Sequence, residues 1–284
     1  MTDEHSRSGG AASLNEAPAE AGPAVPGRPA VWRLDLAYEG TAYHGWARQP
    51  GVRTVQGALE EALSMVVREP IRLSVAGRTD AGVHAWAQVA SFACARGDLD
   101  SERLRRSLNA VLPPDIAVLK AAAAAPGFVA REAASRTYQY RLRVSPVKPV
   151  RDRAYVWQPR GRLDTELLAE AAALLPGRRD FAALTPSARL YHSCVREVHA
   201  AHWAHVGDPA VAGPADASAA EWVFTIRAGS FLHNMVRVAV GSMVDVAQGR
   251  MTVDGFAAAL ASGERRRAGQ TAPAHGLALI AVEY

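Results

Sequence analysis

The sequence is short of several residues and patterns that mark common protein classes. Its 284 residues include two cysteines, Cys94 and Cys194, and neither has a second thiol nearby. This spacing suggests neither a disulfide framework nor a zinc site, so both are expected to be core residues. The chain does not start with a signal-peptide pattern, and no stretch of about eighteen uninterrupted apolar residues follows. We therefore expect a soluble, cytoplasmic protein that does not enter a membrane.

Lysine is also scarce, since only Lys120 and Lys148 occur among 32 basic residues. Beyond residues 1–30 the chain has 30 basic against 24 acidic side chains. Nearly all of its positive charge therefore lies on guanidinium groups, which bind phosphate through paired hydrogen bonds. RNA is one partner that fits this excess. Codon bias toward alanine and arginine would produce the same composition, so composition alone leaves both interpretations open.

The first thirty residues differ from the rest of the chain. They are rich in Ala, Gly, Pro, Ser and Glu, lack Trp and Tyr, and show no apolar periodicity. This composition predicts a disordered tail over residues 1–30. The remaining chain, with 49% hydrophobic residues overall, is large enough for one large domain or two domains of ordinary size.

Apolar periodicity then predicts alternating strands and helices. In the first half the predicted order is strand, helix, two strands, helix and strand: 32–38, 55–66, 71–75, 86–92, a helix capped by Asp100, and 116–119. The elements predicted for the second half follow a similar order. They are a strand at 137–144, a helix capped by Asp164, strands at about 195–203 and about 221–228, a long helix at 231–246, a short helix begun by Thr252, and a strand at 277–283.

This order of elements predicts an α+β fold made of two tandem βαββαβ, ferredoxin-like units. Each unit would form an antiparallel sheet with helices on one face, and a cleft would lie between the two. We place the first domain at 31–134 and the second at 135–284. No similarity between the two halves in sequence supports the repeat, which depends on element order alone.

One short segment, Ala76-Gly77-Arg78-Thr79-Asp80-Ala81-Gly82-Val83-His84-Ala85, concentrates chemically active side chains between two predicted strands. It brings together a carboxylate, a guanidinium and an imidazole, and its glycines allow a tight turn beside a ligand. On this stretch alone an ordinary β-turn is the better explanation. In that case Asp80 would bond local amides and His84 would simply begin a strand.

This segment, followed by Gln88-Val89, resembles the signature of the tRNA pseudouridine synthase A family. Further matches cover residues 31–284 in order. They are Tyr38-Glu39-Gly40-Thr41-Ala42-Tyr43-His44-Gly45-Trp46, Thr54-Val55-Gln56, Asn109-Ala110-Val111-Leu112-Pro113, Phe128-Val129-Ala130-Arg131, Ser135-Arg136-Thr137-Tyr138-Gln139-Tyr140, Phe231-Leu232-His233-Asn234-Met235-Val236-Arg237, Gly241-Ser242-Met243, Gly276-Leu277 and Val282-Glu283-Tyr284. The sequence departs from the family at Val129, where histidine is common, and in the loop around Leu190-Tyr191-His192-Ser193.

The resemblance implies a role for four residues. The family's catalytic aspartate falls on Asp80, its base-stacking tyrosine on Tyr138, its aspartate-pairing arginine on Arg237, and the arginine beside the aspartate on Arg78. It also implies the pseudouridine synthase fold, a homodimer, and action on uridines 38, 39 and 40 of the tRNA anticodon stem-loop. No cofactor and no metal are implied.

These residue types suit the implied reaction, in which the N1–C1′ bond of uridine breaks and a C5–C1′ bond forms. Asp80 must be ionised whether it acts as nucleophile or as base, and Arg237 is expected to lower its pKa. Tyr138 would receive the extruded base by stacking. Each also has a structural interpretation, Tyr138 as a core residue and Arg237 as an interhelical or phosphate contact. His84 and His233 are interpreted as structural or RNA-adjacent residues.

Two other function classes fit the sequence less well. A non-catalytic tRNA-binding or tRNA-folding protein of the same fold would tolerate the loss of Asp80, yet Asp80, Tyr138 and Arg237 are all present. A metal-dependent nucleotide hydrolase using Asp80 and His84 would need further carboxylates around the ion, and the sequence near Asp80 offers none.

Overall fold

The computed structural model describes residues 29–96, 99–206 and 220–284. The predicted N-terminal tail lies almost wholly outside the described residues. The strands are β1 (Ala30–Tyr38), β2 (Ser74–Val75), β3 (His84–Cys94), β4 (Ile116–Ala123), β5 (Ser135–Val144), β6 (Gly177–Asp180), β7 (Val195–Val206), β8 (Ala220–Ala228) and β9 (Leu277–Glu283). The α-helices are α1 (Val55–Val67), α2 (Ser101–Val111), α3 (Thr165–Ala173), α4 (Met235–Ala247) and α5 (Val253–Ser262).

Four of the five helices begin at a polar residue whose side chain accepts a backbone N–H of the first turn. These N-caps are Thr54, Asp100, Asp164 and Thr252. Such a cap satisfies one of the donors that a helix leaves without an internal partner at its start. The sequence predictions of caps at Asp100, Asp164 and Thr252 are confirmed.

In the part of the chain that the structure describes, all nine strands belong to one sheet, in the order β4-β1-β3-β9-β5-β8-β7-β6, with β2 pairing to β3. The expectation of two separate sheets is therefore wrong. The halves share a sheet because β9 lies between β3 of the first half and β5 of the second. Every pairing of named strands is antiparallel except β3–β9, which is parallel over His84↔Ala278 and Ala85↔Leu279.

His84 lies at this short parallel joint and bonds to both halves. Its Nδ1 accepts the backbone N–H of Gly40 at 3.0 Å, and its Nε2 lies 2.9 Å from the carbonyl oxygen of Ala154 and 3.1 Å from that of His275. These partners require a neutral ring that carries its proton on Nε2. Burial lowers the pKa of His84, which favours the same neutral form. The interpretation of His84 as a structural residue agrees with this geometry.

Helix α4 forms the centre of the second half, and its burial explains its apolar sequence. Every residue from Met235 to Ala247 is buried except Arg237. The charged guanidinium of an arginine on such a helix needs polar partners, and Arg237 finds them by lining the cavity described below. The helix begins later than predicted, at Met235 rather than Phe231, because Asn234 adopts a left-handed conformation with φ of 59°.

Two further details differ from the sequence prediction. Residues 177–180 form the edge strand β6, although Gly177 was expected only to end a helix. Val111, expected on the buried face of α2, is 44% exposed. Both cysteines are buried, as predicted. In the described ranges, no helix has the length and apolar character needed to cross a membrane.

Candidate active site

A cavity of about 600 Å³ opens between the two halves of the sheet. Its walls come from the loop between β1 and α1, from the loop between β2 and β3, from the start of β5, and from the segment that leads into α4. Asp80 is the only acidic side chain among the described residues that line it. The lining residues used below are His44, Arg78, Asp80, Arg136, Tyr138, Tyr191, His233, Asn234 and Arg237.

Backbone and side-chain bonds hold the loop that carries Asp80. The Thr79 carbonyl oxygen accepts the Trp46 N–H at 3.0 Å, and the Thr79 hydroxyl lies 2.8 Å from that of Tyr38. Gln88 donates to the Gly77 carbonyl oxygen at 2.8 Å. Gly45 permits this close approach, because a Cβ there would lie 2.8 Å from the Thr79 oxygen and its φ is +88°. The loop is therefore fixed against the core.

Arg136 ties this loop to the other wall of the cavity. Its buried guanidinium donates to four carbonyl oxygens at 2.6 to 2.8 Å. Ala76 precedes the Asp80 loop, and Gly229 precedes the segment leading into α4. One side chain thus links the segments that carry Asp80 and Arg237. The acceptors are the carbonyls of Ala76, Arg131, Ala133 and Gly229.

Asp80 lies between two side chains of the opposite wall. Its Oδ1 is 3.7 Å from His233 Nε2, and its Oδ2 is 3.9 Å from Arg237 Nη1. Burial raises the pKa of Asp80 above the ordinary aspartate value, while His233 in its protonated form, Arg237 and the backbone N–H of Asn234 act to lower it. Arg237 therefore acts in the expected direction, but desolvation outweighs it.

The N-terminus of α4 contributes directly to this arrangement. Asn234 is the residue before the helix, and its backbone N–H acts to lower the pKa of Asp80. A helix N-terminus carries partial positive charge and favours a carboxylate. Arg237, one turn further on, donates to Asn234 Oδ1 at 2.7 Å and to the Ala272 carbonyl oxygen at 2.8 Å. Both bonds orient the guanidinium toward Asp80.

Tyr138 lies on β5 in the cavity wall and is 7% exposed. The rings of Tyr138 and Phe231 pack edge to face, with their centroids 5.0 Å apart. Burial, with smaller effects from Tyr38 and Asp80, raises the pKa of Tyr138 far above its ordinary range, so its hydroxyl stays protonated. The structure thus brings Tyr138, Asp80 and Arg237 to one cavity.

Arg78 occupies a different position, exposed where the cavity meets a second depression of about 940 Å³. It makes no hydrogen bond or ion pair with any residue that the structure describes. The second depression is lined by further arginines, Arg48, Arg53 and Arg72. Guanidinium groups therefore line the surface next to the cavity. Three of them form ion pairs, Arg48 with Glu60 and Glu61, Arg53 with Asp115, and Arg72 with Glu60.

Sequence reasoning did not assign three polar residues of this cavity. His233 was interpreted as structural or RNA-adjacent, Asn234 received no role, and Tyr191 lies in the loop that matches the family poorly. Tyr191 accepts the backbone N–H of His233 at 2.9 Å through its hydroxyl. His233 and Asn234 precede Arg237 by four and three residues. Both lie just before α4, so their nearness to Arg237 in the sequence is a signal that could have placed them at the same cavity.

The fold and the cavity together define a mixed α/β protein with an enzyme-type site. A partly buried carboxylate lies at a helix N-terminus, next to an imidazole and a guanidinium, in a cavity lined by both halves of one mainly antiparallel sheet.

Comparison with known proteins identifies the family. Residues 36–129 and 171–284 match the tRNA pseudouridine synthase family. Relatives named tRNA pseudouridine synthase A include one from Chloroflexus aurantiacus, 42% identical over 88% of this chain and 87% of its own. Another, from Pelobacter propionicus, is 40% identical over 89% of this chain and 98% of its own, and one from Solidesulfovibrio magneticus is 43% identical over 89% and 90%. The chain belongs to the tRNA pseudouridine synthase family.

Proposed function

We propose that this protein isomerises uridine to pseudouridine in tRNA, at positions 38, 39 and 40 of the anticodon stem-loop, with Asp80 as covalent catalyst. The observation that carries this proposal is the placement of Asp80. It is the one acidic side chain among the described cavity residues, and it faces Arg237 at 3.9 Å and the N-terminus of α4. A reaction that needs one ionised carboxylate and no redox partner fits this site.

Each proposed site residue has a distinct task. Asp80 attacks or deprotonates the nucleoside, and Arg237 favours its ionised form. Tyr138 offers its ring to the uracil once the base leaves its stack, and stacking of about 1–3 kcal/mol offsets part of the cost of extrusion. Arg78 contacts the RNA backbone, a role supported by its exposed position beside three other arginines.

The tandem architecture supports the same function. The first half has the strand order β4-β1-β3-β2, and the second half has the corresponding order β9-β5-β8-β7. We infer from this correspondence that residues 31–134 and 135–284 are two ferredoxin-like units, joined in one sheet, with the RNA-binding cleft between them. A homodimer is proposed on the family resemblance alone, and sedimentation equilibrium would test it.

Substitution of Asp80 by Asn tests the proposal. The swap keeps the shape of the side chain and removes the charge, so we expect pseudouridine formation to be abolished while folding and tRNA binding persist. Pseudouridine is mapped by chemical labelling and reverse transcription in tRNA incubated with each protein. Wild-type protein that leaves uridines 38 to 40 unchanged while binding tRNA would instead support a non-catalytic tRNA-binding or tRNA-folding protein.

A further inference from the structure

Completing the isomerisation requires a proton acceptor in addition to Asp80. When C1′ leaves N1 and bonds to C5, C5 carries both the sugar and its own hydrogen. That hydrogen must leave as a proton, so that the C–H electron pair restores the C5–C6 double bond. N1, which kept the electron pair of the broken bond, gains a proton. The net change is a proton moved from C5 to N1, without an oxidant or a reductant.

The described cavity walls contain few groups able to accept this proton. Arg78, Arg136 and Arg237 are cations and have no lone pair to offer. Tyr138 keeps its phenol protonated, because burial raises its pKa. Asp80 is occupied as the covalent catalyst, and the Tyr191 hydroxyl oxygen already accepts the backbone N–H of His233. Two imidazoles remain, those of His233 and of His44.

The hydrogen bonds around His233 define which of its nitrogens is free of hydrogen. Arg237 can only donate, so its 2.7 Å contact identifies the Asn234 atom facing it as Oδ1. The Asn234 amide nitrogen then faces His233 Nε2 at 3.3 Å, which makes Nε2 an acceptor. Nδ1 accordingly carries the hydrogen and donates to the Ser187 hydroxyl at 2.8 Å.

His233 therefore carries a lone pair at Nε2, 3.7 Å from Asp80 Oδ1, and this lone pair accepts the 3.3 Å bond from the Asn234 amide until substrate takes its place. After Nε2 takes a proton, the resulting imidazolium lies beside the Asp80 carboxylate, and the opposite charges attract. His233 is held at two points. Its backbone N–H donates to the Tyr191 hydroxyl, and its ring Nδ1–H donates to the Ser187 hydroxyl. His44 is exposed, as His233 is, but it forms no ion pair with Asp80 within the described part of the chain.

We propose that His233 is a further catalytic residue, whose Nε2 removes the proton from C5 and delivers it to N1 of the rotated base. This inference rests on the proposed uridine isomerisation and adds the group that completes it. Nε2 accepts the proton as C5 loses it, and the same nitrogen donates it to N1. The enzyme then regains the neutral imidazole with which it started.

Deuterium at C5 of uridine tests this assignment. We compare single-turnover rates on tRNA transcribed with [5-²H]uridine and with ordinary uridine. His233→Gln is expected to lower the rate by about 10²–10⁴-fold. Because loss of the C5 hydrogen becomes slow, it should also show a larger isotope effect than the wild type. His44→Gln, the matched control, should keep the wild-type isotope effect.

Further variants keep the assignment open to contradiction. Ser187→Ala removes the acceptor of the His233 Nδ1–H but leaves the imidazole. We therefore expect a larger isotope effect than in the wild type, as for His233→Gln, and a smaller loss of rate. An unchanged isotope effect in folded His233→Gln and Ser187→Ala would overturn the proposal. So would an increase confined to Tyr138→Phe, which would assign the base to the phenol. Inactive wild-type protein would instead contradict the proposed isomerisation itself.

Discussion

At the scale of single residues, the charge of Asp80 is set by opposing influences. Burial raises its pKa, and Arg237 lowers it from 3.9 Å. Arg237→Met keeps the length and the apolar packing of the side chain but removes this charge. We expect turnover at neutral pH to fall and to recover partly as the pH rises, because the acid limb of the rate profile moves up by about 1–3 pH units.

Single-turnover rates across the pH range check this expectation. Arg227→Met is a suitable control, since Arg227 is an exposed arginine of β8 that pairs with Glu283 at 3.4 Å. The control should keep the wild-type acid limb. If Arg237→Met also keeps it, the pairing of Asp80 with Arg237 has no effect on catalysis.

Tyr138 is predicted to act through its ring rather than through charge. Tyr138→Leu removes the stacking face, so turnover should fall at every pH by an amount that corresponds to about 1–3 kcal/mol of lost stacking. Tyr138→Phe keeps the ring and should retain base capture. Melting curves separate this loss from damage to the packing against Phe231. A deficit in Tyr138→Leu that recovers at high pH would argue against the stacking role.

At the scale of elements, the joint between β3 and β9 depends on a neutral His84. Its pKa is lower in the folded protein than the ordinary value of about 6.5, so the unfolded chain binds a proton first as the pH falls. The free energy of unfolding should therefore decrease as the pH falls through about 6.5 and on toward the folded pKa. The decrease ends below the folded pKa, where both states are protonated.

Denaturant unfolding of His84→Asn at several pH values checks this linkage. The variant loses the Nε2 bonds and should be less stable at pH 8, but its stability should depend less on pH than that of the wild type. Some dependence remains because burial also lowers the pKa of His275. Equal pH dependence in both proteins would show that His84 contributes none of it.

The sequence predicted local elements better than long-range pairing. Caps such as Asp100 lie next to the helices they start, so periodicity and residue type suffice to find them. The start of α4 was misplaced because the apolar pattern continues through Phe231 and Leu232, while the left-handed Asn234 separates them from the helix. No local pattern reveals that β9 pairs with β3, some two hundred residues earlier.

The candidate site depended on family resemblance for the same reason. Asp80, Tyr138 and Arg237 lie on a loop, a strand and a helix far apart in the chain, and each has an ordinary structural explanation when considered alone. The position of His233 beside Asp80 follows from the irregular turn at Asn234. Hydrophobic periodicity carries no information about such a turn.

At the scale of the whole molecule, the arginines beside the cavity predict salt-dependent binding. Arg48, Arg53, Arg72 and Arg78 line the adjoining depression. If about six phosphates are contacted, affinity for tRNA should fall on the order of 10³-fold between about 50 and 200 mM salt, because bound counterions are released. Filter binding with the Asp80→Asn protein measures affinity without turnover. A flat salt response would mean that the arginine excess reflects composition only.

The central place of β9 also bears on how the protein is made. Ribosomes synthesise β9 after every other strand, yet this strand separates β3 from β5 in the sheet. Earlier parts of a nascent chain can fold first, but the halves cannot join until residues 277–283 have emerged. Competence for catalysis should therefore appear only after residues 277–283 have left the ribosome. Nascent chains stalled before that point should stay sensitive to protease between the halves, and resistance in such chains would contradict this order of events.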